Sequence, residues 1–309
     1  MNESILTVRD YDLAATLGGG QAFRWHPLEG GWEGVVCDRW VRIEDRGGDW
    51  KILTAGEGSD GAWLEAYLAL DEDLAGVLAT FPEDPPMRAA VEACRGLRLL
   101  RQDPWECLAS FICSSTKQVV QIQAMVALLA RHFGEPVEVP TGHAPVWAFP
   151  SPQRLASADE AALRECKLGF RAPYLLGTAR AVAGGDIDLA ELRQRSEAEA
   201  REALISLPGV GRKVADCVLL FAYGFPNAFP VDVWITKALR RLYFPRARRV
   251  TPARLLRFSA THFGPRGGYA QQYLFHYART RLGRRWAAGD DPEWRARAAR
   301  APGLRGEVI

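Results

Sequence analysis

Apolar and polar side chains alternate in the first part of the chain. In Trp40-Val41-Arg42-Ile43-Glu44, Val41 and Ile43 alternate with Arg42 and Glu44, the two-residue period of a half-exposed strand. Gly31-Trp32-Glu33-Gly34-Val35-Val36 and Trp50-Lys51-Ile52-Leu53 read the same way, and Asp45-Arg46-Gly47-Gly48-Asp49 supplies a turn between two of them. The first hundred residues are therefore expected to be largely strands in a small antiparallel sheet. After about residue 100 the punctuation changes to helix starts. Asp103-Pro104-Trp105-Glu106 sets an acceptor before proline and glutamate, capping boxes are expected at Ser157 with Glu160 and at Ser196 with Glu199, and Ser151-Pro152 and Thr251-Pro252 are further starts. The second part is thus predicted to be mostly helical, with Pro82-Glu83-Asp84-Pro85-Pro86 and residues 136–150 as loops and no fixed-period repeat.

Composition narrows the class without choosing a function. A chain of 309 residues accommodates two domains, or one large domain with an appendage. At 48% hydrophobic and 25% charged it reads as globular, and a net charge of +2 permits a nucleic-acid partner without demanding one. No apolar run approaches the roughly 18 residues that span a bilayer, and Met1-Asn2-Glu3-Ser4 lacks the basic flank of a signal peptide, so a soluble intracellular protein is expected. The six cysteines are scattered without a Cys-x-x-Cys pair, which points to reduced core thiols rather than disulfides, zinc or an iron-sulfur cluster. The arginine- and alanine-rich end, residues 284–305, reads either as a solvated tail or short helix or as a nucleic-acid contact.

The chemistry gathers around Leu207-Pro208-Gly209-Val210-Gly211-Arg212-Lys213, followed by Pro230-Val231-Asp232-Val233. A helix over residues 196 to about 206, a tight turn and an apolar helix over 214–222 make a helix-hairpin-helix. Gly209 and Gly211 are expected at positive φ, and the second helix start suits a phosphate. Lys213 is one of only five lysines among 39 basic residues. Arginine cannot lose its proton to become a nucleophile, whereas lysine can; at an ordinary pKa only about one in ~10³ lysines is neutral at pH 7. Lys213 is thus either a phosphate contact or a nucleophile. Asp232 can accept a proton, stabilise positive charge on a sugar, or cap the next helix.

These blocks resemble the 8-oxoguanine DNA glycosylases of the helix-hairpin-helix superfamily. Beyond the hairpin the resemblance is carried by Gly20-Gln21-Ala22-Phe23-Arg24-Trp25, Arg98-Leu99-Leu100-Arg101-Gln102-Asp103-Pro104, Glu106-Cys107-Leu108, Ser110-Phe111-Ile112-Cys113-Ser114-Ser115, Val214-Ala215-Asp216-Cys217, and Tyr269-Ala270-Gln271 with Leu274-Phe275. The resemblance implies an α+β fold: an N-terminal antiparallel sheet domain (1–98), a helical helix-hairpin-helix domain (99–285) and an arginine-rich tail (286–309). It implies oxidised guanine flipped out of duplex DNA, Lys213 as the nucleophile forming a Schiff base that permits β-elimination, and Asp232 assisting. Cys217 and Phe275 resemble the pair that sandwiches the base, Gln271 the reader of its Watson-Crick edge, and Gly20 the glycine whose carbonyl accepts from the N7 hydrogen. Gly209, Val210 and Gly211 would meet the DNA backbone. No metal is needed for this chemistry, although the hairpin carbonyls of such folds can hold a structural monovalent cation. A monomer in a prokaryotic cytoplasm or nucleoid is expected.

The pattern departs from the family where the orphaned cytosine is read. Eukaryotic members have consecutive asparagines and then an arginine, whereas Thr116-Lys117-Gln118 and Gln121 stand here. Phe170-Arg171 still resembles the second half of that reader, and Lys117 reads equally as a phosphate contact or an exposed helix residue. Trp234 replaces a common histidine. A relaxed opposite-base preference is therefore expected. The competing readings are a glycosylase for another damaged base and a non-catalytic DNA-binding module.

Overall fold

The computed structural model describes residues 1–56 and 61–283; the expected tail, 286–309, lies outside the described residues. Strands β1 (Asn2–Thr7), β2 (Trp25–Leu28), β3 (Gly31–Val36), β4 (Arg39–Asp45) and β5 (Asp49–Thr54) form one antiparallel sheet in the order β1-β5-β4-β3-β2. Register follows the alternation: Val41 stands opposite Thr54 and Ile43 opposite Ile52, with all four side chains buried. The Asp45 turn closes because Asp45 Oδ1 accepts from the amide of Gly47 (3.0 Å), and Gly47 and Gly48 adopt φ of 78° and 109° that other residues resist. Helix α1 (Leu13–Leu17) lies between β1 and β2.

Besides α1, three further helices within the first hundred residues depart from the expected run of strands: α2 (Ala62–Tyr67), α3 (Leu74–Leu78) and α4 (Pro85–Ala93). The proline-rich stretch expected as a loop starts α4. Asp84 Oδ1 accepts from the Met87 amide (2.8 Å), and proline in the first turn lacks only an amide that has no helical partner anyway. Helices α5 (Pro104–Cys113), α6 (Val119–Phe133), α7 (Pro152–Ala156), α8 (Glu160–Glu165), α9 (Ala172–Ala183), α10 (Glu197–Ile205), α11 (Arg212–Phe221), α12 (Val233–Leu242), α13 (Pro252–His262) and α14 (Gly267–Tyr277) follow. The loop expected over 136–150 carries a two-stranded ribbon, β6 (Pro136–Val137) with β7 (Val146–Trp147). The capping box at Ser196 forms, whereas Ser157 ends α7, its hydroxyl donating to the Arg154 carbonyl (3.0 Å), and Asp159 precedes α8.

Burial divides differently from the sequence. The sheet packs on α1 and α2, and helices α5 to α11 share a second core. Leu74, Val77, Met87 and Ala90 of α3 and α4 join a third core with α12, α13 and α14 near the end of the chain. The sheet's inner face is already covered, so these apolar stripes find their partners on α14. The expected division between residues 98 and 99 runs through a hydrogen-bonded segment. There Gln21 Nε2 donates to the Arg98 carbonyl (2.8 Å), and its Oε1 accepts from the Leu100 amide (2.9 Å). All six cysteines are free thiols; five are buried, but Cys37 is exposed at the β3–β4 turn. Among the described residues no helix is long and apolar enough to cross a membrane.

Candidate active site

The hairpin joins α10 to α11 through a turn with different demands on its two glycines. Gly209 adopts φ of 76°, and a Cβ there would stand 2.6 Å from the Tyr174 Cβ, so backbone and packing both require glycine. Gly211 does not take the expected positive φ. It caps α11 in an extended conformation (φ −92°), because the helix begins at Arg212 and an N-cap residue is extended. A Cβ on it would meet nothing within 4 Å, which leaves open space in front of the helix start. The turn is held by Thr178 Oγ1 donating to the Pro208 carbonyl (2.8 Å) and by the Val210 amide donating to the Leu207 carbonyl (3.2 Å). The Val210 side chain is buried, whereas Arg212, to which the sequence reading gave no role, is exposed at the helix start.

Lys213 emerges one residue further on and is half-buried. Its Nζ donates to Ser114 Oγ (3.0 Å) and stands 5.0 Å from the centre of the Phe111 ring. Ser114 ends α5, and its hydroxyl donates in turn to the Phe111 carbonyl (2.6 Å), so the oxygen is oriented to accept from lysine. Ser114 belonged to a recognised block but drew no role, because only the fold brings α5 to the start of α11. One turn along α11, Cys217 is buried; burial pushes its thiol up to about 12, against the opposing effect of Lys213.

Asp232 caps α12, its Oδ1 accepting from the Ile235 amide (2.8 Å). Burial raises its carboxyl above the ordinary range, while hydrogen bonds from the helix start and the charge of Lys213 pull the other way. The cap holds the carboxylate at the start of α12, where it feels the charge of Lys213.

The remaining pocket candidates come from opposite ends of the chain. Gly20 adopts φ of 78°, and a Cβ on it would lie 3.4 Å from both the Phe275 ring and Arg279 Nη1. Gln271 and Phe275 stand one turn apart on α14. Gln271 is buried; its Nε2 donates to the Pro230 carbonyl (3.0 Å), and its Oε1 has no partner among the described residues. Arg279 and Gln272 are additions that no motif signalled, and both tie the turn at residues 18–20 to the α14 region. A cavity of about 110 Å³ lies at the far end of α11, lined in part by Leu220, Phe221, Ala222 and Tyr223, and none of the site residues named above lines it.

The expected orphan-base reader is arranged unevenly. Phe170 is 56% exposed, but Arg171 is buried beneath it, with its guanidinium 4.2 Å from the ring centre. Arg171 donates to the Ser115 carbonyl (3.1 Å), the Leu168 carbonyl (3.2 Å) and Thr116 Oγ1 (3.0 Å), which holds the turn where Thr116 takes φ of 57°. Thr116 and Lys117 are exposed on that turn, while Gln121 accepts from the Gln118 amide (3.1 Å) in the first turn of α6. Trp234 packs with Ala238, Ala278 and Leu282.

Residues 4–108 match the family described as 8-oxoguanine DNA glycosylase, N-terminal domain, and residues 109–259 match the HhH-GPD superfamily of base excision DNA repair proteins. The N-glycosylase/DNA lyase OGG1 of Arabidopsis thaliana is 32% identical, the match covering 87% of this chain and 78% of that protein. Among solved structures, MBOgg1 in complex with a low-affinity DNA ligand is 35% identical with a TM-score of 0.86, over 92% of this chain and 97% of that one. The Clostridium acetobutylicum 8-oxoguanine glycosylase/lyase bound to double-stranded DNA with cytosine opposite 8-oxoG is 32% identical with a TM-score of 0.82, over 89% and 97% of the two chains. A sheet domain leading into a helix-hairpin-helix, a lysine and an aspartate at its mouth, and these likenesses along nearly the whole chain have one consequence: the protein belongs to the 8-oxoguanine DNA glycosylase family of N-glycosylase/DNA lyases, within the HhH-GPD superfamily.

Proposed function

We propose that this protein flips 8-oxoguanine out of duplex DNA, releases the base through a Schiff base on Lys213, and cleaves the strand by β-elimination. The reading is supported by a chain of interactions that runs from Lys213 and Asp232 to Phe275 and Gly20. Lys213 acts on the charge of Asp232, Asp232 acts on that of Arg279, and Arg279 lies against Phe275 and the Gly20 turn. The unpartnered Gln271 oxygen suits the N–H donors of a purine's Watson-Crick edge, since a buried acceptor left empty costs about 1–3 kcal/mol.

In this scheme neutral Lys213 keeps one N–H on Ser114 and turns its lone pair to the sugar's C1′. The N–C1′ bond forms as the C1′–N9 bond breaks. The base leaves with its electron pair and takes up a proton, and Asp232 stabilises the positive charge that develops on the sugar. Sugar-ring opening with loss of the amine proton gives the imine, and removal of a C2′ proton expels the 3′ phosphate. Backbone amides at the start of α11 hold a neighbouring phosphate, with exposed Arg212 beside them. The Leu207 and Pro208 carbonyls each accept one protein hydrogen bond and keep a second lone pair, which suits the monovalent cation that the resemblance implies.

Opposite-base reading is proposed to be relaxed, because Gln121 stands at the arginine position and Arg171 is engaged within the protein. The deciding experiment is borohydride trapping on duplexes carrying 8-oxoguanine opposite each normal base. Wild type is expected to form a covalent adduct that Lys213→Gln does not; no wild-type adduct would overturn this reading in favour of a glycosylase for another damaged base or a DNA-binding module.

A further inference from the structure

Arg279 sits on a π-helical turn, Ala278–Leu282, that continues α14, a distortion found frequently at functional sites. Its Nη2 donates to the Gly18 carbonyl (2.5 Å), its guanidinium carbon stands 5.5 Å from the centre of the Phe275 ring, and its Nη1 lies 3.4 Å from where a Cβ on Gly20 would be. Gln272 Nε2 donates to the next carbonyl, that of Gly19 (3.1 Å). Two successive carbonyls of the turn at 18–20 are therefore tied to α14 and its continuation, immediately before Gly20.

Partly burying a guanidinium is costly unless other groups compensate it. Among the described residues no carboxylate forms a salt bridge with Arg279. Burial disfavours its charge while the field of Asp232 supports it. A single leucine or methionine would fill comparable space at lower cost, but it could not hold a carbonyl and lie on a ring face together, as a forked planar cation does.

We propose that Arg279 is a positioning residue for base recognition: it pins the turn at 18–20 against Phe275, and thereby fixes the Gly20 carbonyl that separates the oxidised purine from guanine. The inference rests on the base-pocket reading of Gly20 and Phe275 given above. Guanine presents a bare acceptor at N7, where 8-oxoguanine presents a donor. A carbonyl repels guanine effectively only if it cannot retreat, because a mobile turn would swing aside and relieve the acceptor–acceptor contact. Rigidity of the turn therefore sets the discrimination, and Arg279 supplies it from a residue more than 250 positions away in sequence.

The test compares wild type, Arg279→Gln and Arg279→Lys on two substrates, a duplex with 8-oxoguanine opposite cytosine and the same duplex with a ready-made abasic site. Base excision by Arg279→Gln is expected to fall about tenfold or more in kcat/KM, while cleavage of the abasic site, which presents no base, changes less than about threefold. Arg279→Lys, which makes one of the two contacts at a time, falls between. In a Lys213→Gln background, Arg279→Gln is further expected to narrow the ratio of duplex affinities for 8-oxoguanine over guanine. Unchanged excision with an unchanged affinity ratio overturns the proposal, as does equal loss on both substrates, which marks general damage to the fold. A wild type that forms no borohydride adduct on 8-oxoguanine instead overturns the functional reading, and this inference with it.

Discussion

The guanidinium of Arg171 is committed to the protein, to the carbonyls of Ser115 and Leu168 and the hydroxyl of Thr116, and at Gln121 an amide replaces the family's second arginine and accepts from its own helix start. At the residue scale, the proposed reading leaves Phe170, exposed and apolar, and the exposed Thr116 and Lys117 to meet an orphaned base. A stacking ring tolerates every base, whereas a bidentate arginine contact discriminates by about 1–3 kcal/mol. Excision rates opposite cytosine are accordingly expected to exceed those opposite adenine by less than in relatives that keep the arginine. Single-turnover rates on the four pairings measure this, and strict dependence on cytosine would refute it. The altered identities at 116–118 and 121 were legible from the sequence; that Arg171 faces inward was not, because two of its partners, Ser115 and Thr116, lie more than fifty residues away.

At the element scale, Asp232 has two tasks that substitution can separate. As a cap it contributes about 1 kcal/mol to α12, a contribution that asparagine reproduces and alanine does not. Burial holds its carboxyl above the ordinary range, so the ionised form costs folding free energy at neutral pH. Asp232→Asn is therefore expected to unfold at no lower temperature than wild type, Asp232→Ala is expected to lose about 1 kcal/mol, and both should lose most borohydride trapping on 8-oxoguanine. Equal activity in the asparagine variant would reduce Asp232 to a cap. Caps were among the most legible features of the sequence, at Asp103, Ser151, Ser196 and Thr251. Ser157 failed because the turn after α7 used its hydroxyl first.

At the scale of the whole molecule, Arg24 and Glu106 form an ion pair (3.6 Å) between the residue preceding β2 and α5, joining the sheet to the helices, and Arg24 also donates to the Trp147 carbonyl. Burial raises the Glu106 carboxyl from 4.5 to about 7, with Arg24 opposing the shift. The folded state thus binds this proton more tightly than the unfolded chain. Its contribution to stability is full below about pH 4.5 and is lost as pH rises through about 7, a change of at most about 3 kcal/mol. Denaturant unfolding across that window is expected to show wild type losing stability relative to Glu106→Gln as pH rises; a pH-independent difference between the two would contradict this.

The sequence by itself determined what is local. Strand alternation set the register of β4 on β5, the Asp45 turn closed as its glycines demand, and the hairpin glycines positioned Lys213 at a helix start. These features depend on neighbours one to four residues apart, and a linear reading contains those neighbours. The tertiary structure decided what depends on distant ones. It sent α3 and α4 to α14 instead of the sheet, left the Gln271 oxygen without a partner among the described residues, gave Lys213 its seat on Ser114, and laid Arg279 across Phe275 and the turn at 18–20. Burial and unsatisfied hydrogen-bonding capacity exist only once the chain has closed on itself, so no spacing of residues could announce them.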